Sequence, residues 1–413
     1  MNCLFRANER VVPFMPSSSS SLPRIYLLAG RDKRVGHGHP WAYSNEIRMD
    51  AEAKAMPAGT IATLHRVDGK LIGIGSFNPH ALIAFRLFER STQAPLDVKF
   101  FAARLSRALD LRRRLFAEPF YRLIHAEADG VPGLVIDRFG SAVVVQANTA
   151  AVDAMIDAVL AAIDEVLAPE LIVLRNDSPA RLAEGLSTAV AVAKGRLDVP
   201  IALRENGVVY SADLLAGQKT GWFFDQRENR AFIAPLAEGG SMLDLYCHTG
   251  GFALAAAAHG ASGVLAIDSS QPALGLAEGA AAENGVAERC TFRRGQAFDV
   301  LTALAAAGER FAVVAADPPA FVKSRKDLAA GLRGYRKLSR LAASVVAPGG
   351  ILFIASCSHN VEAAAFAGEV GRGLAAARRT GRIIRAAGAA ADHPIHPFLP
   401  ESVYLKTLTL QLD

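Results

Sequence analysis

The chain has 413 residues, about half of them apolar, and a formal net charge of +5. That length exceeds one typical hydrophobic core and suggests two or three domains, while the longest apolar run, around Ala253 to Ala258, falls far short of the roughly 20 residues of a membrane helix. Four cysteines (Cys3, Cys247, Cys290, Cys357) without Cys-x-x-Cys spacing speak against a disulfide framework or a zinc site and fit a reducing, cytoplasmic compartment.

The first 23 residues, with a serine run from Ser17 to Ser21 and no apolar stretch of signal-peptide length, read as a disordered leader, and Met15 is a second candidate start. From Arg24 to Arg90 short apolar runs (Ile25 to Leu28, Thr60 to Leu64, Leu71 to Ser76, Leu82 to Leu87) are broken by Gly, Pro and Asp68-Gly69, which describes a small β barrel over 24–92. His37 and His39 lie in a Gly-Pro turn without a third ligand and are read as turn residues. An arginine-rich helix over Leu96 to Leu115 leads to strands at Gly133 to Asp137 and Ala142 to Ala147, a helix at Val152 to Leu167 and a strand at Leu171 to Leu174. These make a small α+β domain over 93–198.

After the Glu205-Asn206-Gly207 turn the pattern becomes repeated strand and helix. Strands are expected at Ser241 to Tyr246, Gly263 to Asp268, Cys290 to Arg293, Phe311 to Asp317 and Ile351 to Ser356, so 199–413 reads as a doubly wound, Rossmann-like α/β domain. Ligands of such sheets sit at the carboxyl ends of the strands. There the run Asp244-Leu-Tyr246-Cys-His-Thr-Gly250-Gly251-Phe252 turns a strand into a helix, and Asp268 closes the next strand. Glycines admit close backbone approach and a helix N-terminus offers free amides. The loop lacks the Gly-x-Gly-x-x-Gly of dinucleotide sites and starts from an acid, which suits S-adenosylmethionine, whose amino group an acid can hold while Asp268 takes the ribose diol. The segment Gly217 to Arg230, with Gln226 in it, is expected to cover that cofactor.

The reacting groups are expected at Asp317-Pro318-Pro-Ala-Phe321 and Ser356-Cys357-Ser358. A cysteine is an intrinsically strong nucleophile and can add to carbon 6 of a cytosine, which activates carbon 5 toward methylation. Asp317 and Pro318 can address the base edge, and Phe321 can stack on a base drawn out of its helix. Cys247, inside the glycine loop, is expected to pack, and Cys290 to sit in the core. Basic residues cluster at Arg104, Arg107, Arg112, Arg113 and Arg114, at Lys323, Arg325 and Lys326, and at Arg333, Arg336, Lys337 and Arg340 around Tyr335, as a polyphosphate partner would require. Lys323, Arg333 and Tyr335 are therefore candidate substrate contacts. His248, His359, His393 and His396 have no spacing that singles one out.

In these motifs the chain resembles the RlmI-type 23S rRNA 5-methylcytosine methyltransferases from about Arg24 onward. Gly38-His-Pro-Trp41 with Asn45-Glu46 resembles their PUA domain, Arg122 to Asp137 their central domain, and Gln218-Lys-Thr-Gly, Asp225-Gln-Arg, Asp244 to Phe252, Asp317 to Phe321, Ser356 to Ser358, Asp392-His-Pro and Tyr404-Leu-Lys their catalytic domain. The resemblance implies that Asp244, Gly250 and Gly251 line the methionine end of S-adenosylmethionine, that Asp268 takes the ribose, that Cys357 attacks the base, and that the PUA domain grips ribosomal RNA. Two positions depart from the pattern. Gln296 stands where an aspartate often meets the adenine amino group, leaving an uncharged acceptor or a role for Asp299, and Ala320 stands where a lysine often follows, with Lys323 nearby. Guanine-N7 methyltransferases of the same fold, which carry asparagine in place of Cys357, and a non-catalytic RNA-binding assembly factor are the alternatives. A membrane or metal partner is not expected, and a homodimer is left open.

Overall fold

The computed structural model describes residues 21–91 and 94–413; the expected leader falls almost entirely on residues outside these, as does Cys3. The described chain forms two compact units, one built mainly from residues up to 196 and the other mainly from 197 onward, with 115–121 belonging to the second unit and 396–399 to the first.

The first unit holds two five-stranded sheets. One orders Arg24–Tyr26, Thr60–His65, Leu71–Phe77, Ile83–Arg90 and Trp41–Tyr43, with Ile25, Leu64, Phe77 and Phe85 buried on its core side. The other orders Ala189–Lys194, Leu171–Asn176, Ala142–Ala147, Leu134–Phe139 and Phe120–His125. The strands at Phe120–His125 and Ala189–Lys194 lie outside the sequence reading. The second of these, Ala-Val-Ala-Val-Ala-Lys, is an edge strand exposed along its whole length. The two sheets share polar contacts: Trp41 Nε1 donates to Glu127 at 2.7 Å, and Arg86 bridges Glu127 and Glu184 at 2.9 and 3.3 Å.

The arginine-rich helix is Val98–Leu115, and one member of its basic cluster is not a surface charge. Arg112 follows Leu105, Ala108 and Leu109 around one helix face, so its guanidinium is carried inward to full burial. It forks onto Asp129 at 2.6 and 2.7 Å and donates to the Arg122 carbonyl at 3.0 Å. Arg104 likewise pairs with Glu89, which leaves Arg107, Arg113 and Arg114 as the exposed members.

The second unit is organised by a seven-stranded sheet. Its strands are β1 (Ser241–Leu245), β2 (Gly263–Asp268), β3 (Cys290–Arg294), β4 (Phe311–Ala316), β5 (Val346–Ser356), β6 (Gly381–Ala387) and β7 (Lys406–Leu412). The order is β3-β2-β1-β4-β5-β7-β6, parallel except for β7, which runs antiparallel to both neighbours. Helices α1 (Gly251–Ala258), α2 (Gln271–Glu283), α3 (Ala297–Ala306), α4 (Leu328–Ala343) and α5 (Ala363–Ala376) connect the strands. The central strands read as continuous apolar runs, such as Phe-Ala-Val-Val-Ala-Ala in β4, because both faces are covered. A hairpin, Ile201–Glu205 with Val208–Ala212, precedes the sheet and turns at Asn206-Gly207. Among the described residues no helix is long and apolar enough to cross a membrane.

Removing one partner of the Arg112–Asp129 pair leaves a buried charge uncompensated. Arg112→Ala is expected to lower stability by about 3–5 kcal/mol in a denaturant titration, while Arg113→Ala stays within about 0.5 kcal/mol of the parent.

Candidate active site

Asp244 is the penultimate residue of β1, flanked in register by Ala266 of β2 and Ala315 of β4, so its carboxyl is buried between two strands. One oxygen accepts from the Ala253 amide in the first turn of α1 at 2.9 Å. Burial, reinforced by the charges of Asp317 and Asp268, nevertheless pushes the group up to about 8 against that hydrogen bond. An acid in this state is stabilised by any cation brought beside it.

The loop that follows is a strained turn. Tyr246, His248 and Gly250 all have left-handed backbone, with φ of 62°, 51° and 82°, and such conformations cost on the order of 1–3 kcal/mol for non-glycine residues. Gly250 could not be replaced cheaply, since a Cβ there would stand 3.1 Å from Leu254 and 3.2 Å from Ala277. Asp268 holds the turn in place, accepting from the His248 amide at 2.9 Å and from the Ser270 amide at 2.8 Å. Cys247 is buried, as expected, and its amide donates to the Ile267 carbonyl at 3.0 Å. Burial pushes His248 down to about 4, so its ring is neutral, and it stands edge-on to Phe223 at 5.1 Å. Among the described residues His248 Nδ1 and Thr249 Oγ1 are buried without a hydrogen-bond partner. Two orphaned polar atoms and an under-compensated acid around a helix N-terminus fit a ligand that is both polar and cationic, as S-adenosylmethionine is.

The other expected cofactor residues are placed differently from one another. Gly251 abuts the Arg230 side chain, Phe252 packs on Phe353 at 4.9 Å, and Tyr246 is half-buried against a different apolar cluster that includes Leu245, Leu352 and Ile354. Gln296 is exposed at the start of α3 and its side chain caps nothing. Gly217 to Arg230 is a packed element: Thr220, Trp222, Phe224, Asn229 and Arg230 are buried. Arg230 forks onto Glu205 of the hairpin at 2.6 and 2.9 Å, and Trp222 donates to the same carboxylate at 3.1 Å.

Gln226, expected at the cofactor, is joined to the reacting aspartate. Its Nε2 donates to Asp317 at 2.8 Å, and its Oε1 accepts from Asn229 Nδ2 at 2.7 Å. Asn229 Nδ2 also donates to the Gly388 carbonyl at 3.2 Å, so each amide's orientation is dictated by the next. Asp317 leaves the end of β4 and Cys357 the end of the adjacent β5, which brings the two together. The half-buried Cys357 thiol lies 3.9 Å from the Pro318 carbonyl. Burial and the Asp317 charge push that thiol up to about 11. Burial and the charge of Asp225 raise Asp317 to about 6. Asp225 itself is buried, which works against its charge, yet the Lys219 ammonium at 2.6 Å, the nearby His393 and the Tyr404 hydroxyl at 2.6 Å hold it well below the usual carboxylate range.

Lys219, Asp225 and Tyr404 are among the members of this site to which sequence reasoning gives no individual role, although all three lie in segments that carry the resemblance. Lys219 also sits over the Phe223 ring at 4.2 Å, and its charge favours the Cys357 thiolate. Of the expected substrate contacts, Lys323 and Arg333 are exposed and Phe321 is half-buried, stacked near Phe298 at 6.2 Å. Pro318 is buried, with its carbonyl toward Cys357. Tyr335 is no surface residue. It is fully buried, with its hydroxyl between Ser356 and Ser358 at 2.8 Å each and its ring 4.7 Å from Phe321. Gly331, Leu338 and Ala342 lie on the same face of α4, which is the periodicity that carries it inward. Arg336 of the same cluster pairs with Glu369 at 2.6 Å. His393 pairs with Asp392 at 2.8 Å and His359 stacks on Tyr404 at 5.4 Å.

The profile of the S-adenosylmethionine-dependent methyltransferase family matches residues 188–378, and that of the PUA-like domain matches 25–90. The chain is 35% identical to ribosomal RNA large subunit methyltransferase I of Photobacterium profundum, over 92% of this chain and 97% of that one. It belongs to the ribosomal RNA large subunit methyltransferase I family. A second member, from Shewanella denitrificans, is 33% identical over 94% of this chain and 99% of its own length. Among solved structures, one described as a SAM-dependent methyltransferase from Streptococcus mutans superposes with a TM-score of 0.80 at 20% identity, covering 94% of this chain and all of that one. Another, a methyltransferase complexed with SAH, gives 0.81 at 19% over the same shares. Both share the fold. As an S-adenosylmethionine-dependent methyltransferase, this family member would hold its cofactor at the Asp244 to Gly251 turn and Asp268.

The charges at Asp244 and Cys357 have measurable outcomes. Bringing the cationic cofactor beside Asp244 shifts that group toward its charged form, so at pH 7 binding is expected to release about one proton, and affinity is expected to rise with pH until about 8 and then level. Calorimetry in buffers of different ionisation enthalpy measures this, and Asp244→Asn should remove the Asp244 proton. In the free protein, iodoacetamide labelling of Cys357, followed by peptide mass spectrometry, should climb with pH toward a midpoint near 11 rather than at the ordinary thiol value.

Proposed function

We propose that this chain methylates carbon 5 of a cytosine in 23S ribosomal RNA, with Cys357 as the covalent nucleophile. The observation that carries the reading is the meeting of Cys357 with the Asp317-Pro318 turn, 3.9 Å from sulfur to the Pro318 carbonyl, at the carboxyl ends of neighbouring strands. The ribosomal RNA substrate is supported by the name that the relatives carry.

In this reading the thiol passes its proton to the Asp317 carboxylate as substrate enters, and Lys219 is the cation that favours the thiolate. Sulfur bonds to carbon 6, and carbon 5 becomes electron-rich. Bound S-adenosylmethionine supplies the methyl group. A base then takes the carbon 5 proton, the electron pair restores the ring double bond, and the carbon–sulfur bond breaks. Asp317, raised to about 6, has the proton affinity that general acid–base work near neutral pH requires. Gln226 occupies one of its oxygens and leaves the other for the base. Phe321 is the stacking surface, and Lys323 and Arg333 are the phosphate contacts, since both are exposed.

We place the work in the cytoplasm and keep three functional parts, with 24–92 gripping RNA, 93–198 as the central domain and 199–413 catalytic. If two copies pair, the exposed edge strand Ala189–Lys194 is the surface we assign to it.

Purified protein given unmodified ribosomal RNA and labelled S-adenosylmethionine is expected to yield 5-methylcytosine by nucleoside mass spectrometry, and Cys357→Ala none. Methylguanine that survives this substitution would hand the case to a guanine-N7 enzyme, and no transfer at all to a non-catalytic assembly factor. RNA binding should weaken with added salt, and Lys323→Ala with Arg333→Ala should reduce the slope of log affinity against log salt by about one for each cationic side chain removed.

A further inference from the structure

The thiol chemistry uses neither of the serines that flank Cys357, yet both are buried. Ser356 is the last residue of β5, and its hydroxyl donates to the Tyr335 oxygen at 2.8 Å. That leaves the Tyr335 proton for Ser358 Oγ, also at 2.8 Å. Ser358 Oγ accepts in addition from the Val322 amide at 3.2 Å, in the loop that follows Asp317-Pro-Pro. The Ser358 carbonyl accepts from Lys406 Nζ at 2.7 Å. The phenol ring is held between Phe321 at 4.7 Å and Phe366 at 5.2 Å.

We propose that Tyr335, Ser356 and Ser358 form a clamp that aims the Cys357 thiol, with Tyr335 as its positioning residue. This rests on the reading of Cys357 as nucleophile and deepens it. A residue whose two neighbours are both pinned has little freedom in where its Cβ points, so the thiol direction is set by one phenolic hydroxyl from α4. The Val322 amide brings the Asp317 loop to the same hub, so the nucleophile and the acid are referenced to each other. Hydroxyl chains suit this task better than apolar packing, because their bonds are directional and a buried hydroxyl with a missing partner is penalised. The pattern also accounts for a serine on each side of the cysteine.

Tyr335→Phe keeps the ring and deletes the hydroxyl. It is expected to lower kcat for 5-methylcytosine formation about 10- to 100-fold, the cost of misaiming a reactive atom by about 1 Å, with KM for RNA and for S-adenosylmethionine within about twofold of the parent. Without RNA, alkylation of Cys357 by iodoacetamide should become faster as the thiol is freed. Ser358→Ala should act in the same direction. The double variant should be about as slow as the slower single, since both break one network. Should Tyr335→Phe fail to fold by circular dichroism, Ser356→Ala and Ser358→Ala carry the same expectation. A folded Tyr335→Phe or Ser358→Ala with parental kcat and parental alkylation rate overturns the clamp while leaving Cys357 as nucleophile, provided that Cys357→Ala is inactive in the same assay. Formation of 5-methylcytosine by Cys357→Ala would overturn the nucleophile reading, and the clamp with it.

Discussion

The burial of several carboxyl groups at one end of a parallel sheet is the constraint around which the catalytic unit is arranged. Asp225 raises Asp317, and Asp317 together with Asp268 raises Asp244, through low-dielectric surroundings. The compensating charge is small. Lys219 serves Asp225, and Arg230 is turned toward Glu205. The result is a graded set, with Asp225 strongly ionised, Asp317 near neutrality and Asp244 above it. Groups pushed apart in this way divide tasks among themselves, and functional sites concentrate such perturbations. The strained turn at Tyr246 to Gly250 belongs to the same economy of space, because Asp268 is the group that holds it.

Around that acidic end, amides and hydroxyls rather than charges transmit position. Asn229 fixes Gln226, and Gln226 fixes Asp317. Tyr335 joins both serines beside Cys357. Each chain ends on a rigid element, β5 and α4 in one case and the packed Gly217 to Arg230 segment in the other. The thiol and the acid therefore inherit their placement from the apolar core beneath them, where Leu338, Ala342, Ile354 and Phe366 pack together.

Much of this is legible in the sequence, and the reasons are local. Asp244, Asp268, Asp317 and Cys357 end or follow apolar runs whose alternation with helices announces a parallel sheet, and in such a sheet the strand ends are where chemistry gathers. Basic neighbours in sequence make Tyr335 and Arg112 look like surface residues. Helical spacing is the better guide, since Leu105, Ala108 and Leu109 precede Arg112 on one face, and Gly331, Leu338 and Ala342 share the face of Tyr335. The strands β6 and β7 are harder to see, because β6 is mostly exposed and carries arginines at Arg382 and Arg385. The bond from Gln226 to Asp317 is not legible in the sequence, because an amide side chain states its capacity to bond but not its partner, which here lies 91 residues away.

The hairpin ahead of the sheet sets a limit on how this protein can be divided. Glu205 is buried and receives Arg230, Arg227 and Trp222, while the Phe120 carbonyl, contributed from far upstream, receives Arg227. A catalytic fragment cut to begin just after the hairpin, at Asp213, would lose Glu205 and leave Arg227 and Arg230 stranded in its interior. One beginning just before Ile201 would keep the carboxylate and still lack the 115–121 segment. The transferable module in this chain is thus discontinuous, and grafting the methyltransferase onto another RNA-binding domain requires carrying that upstream segment along.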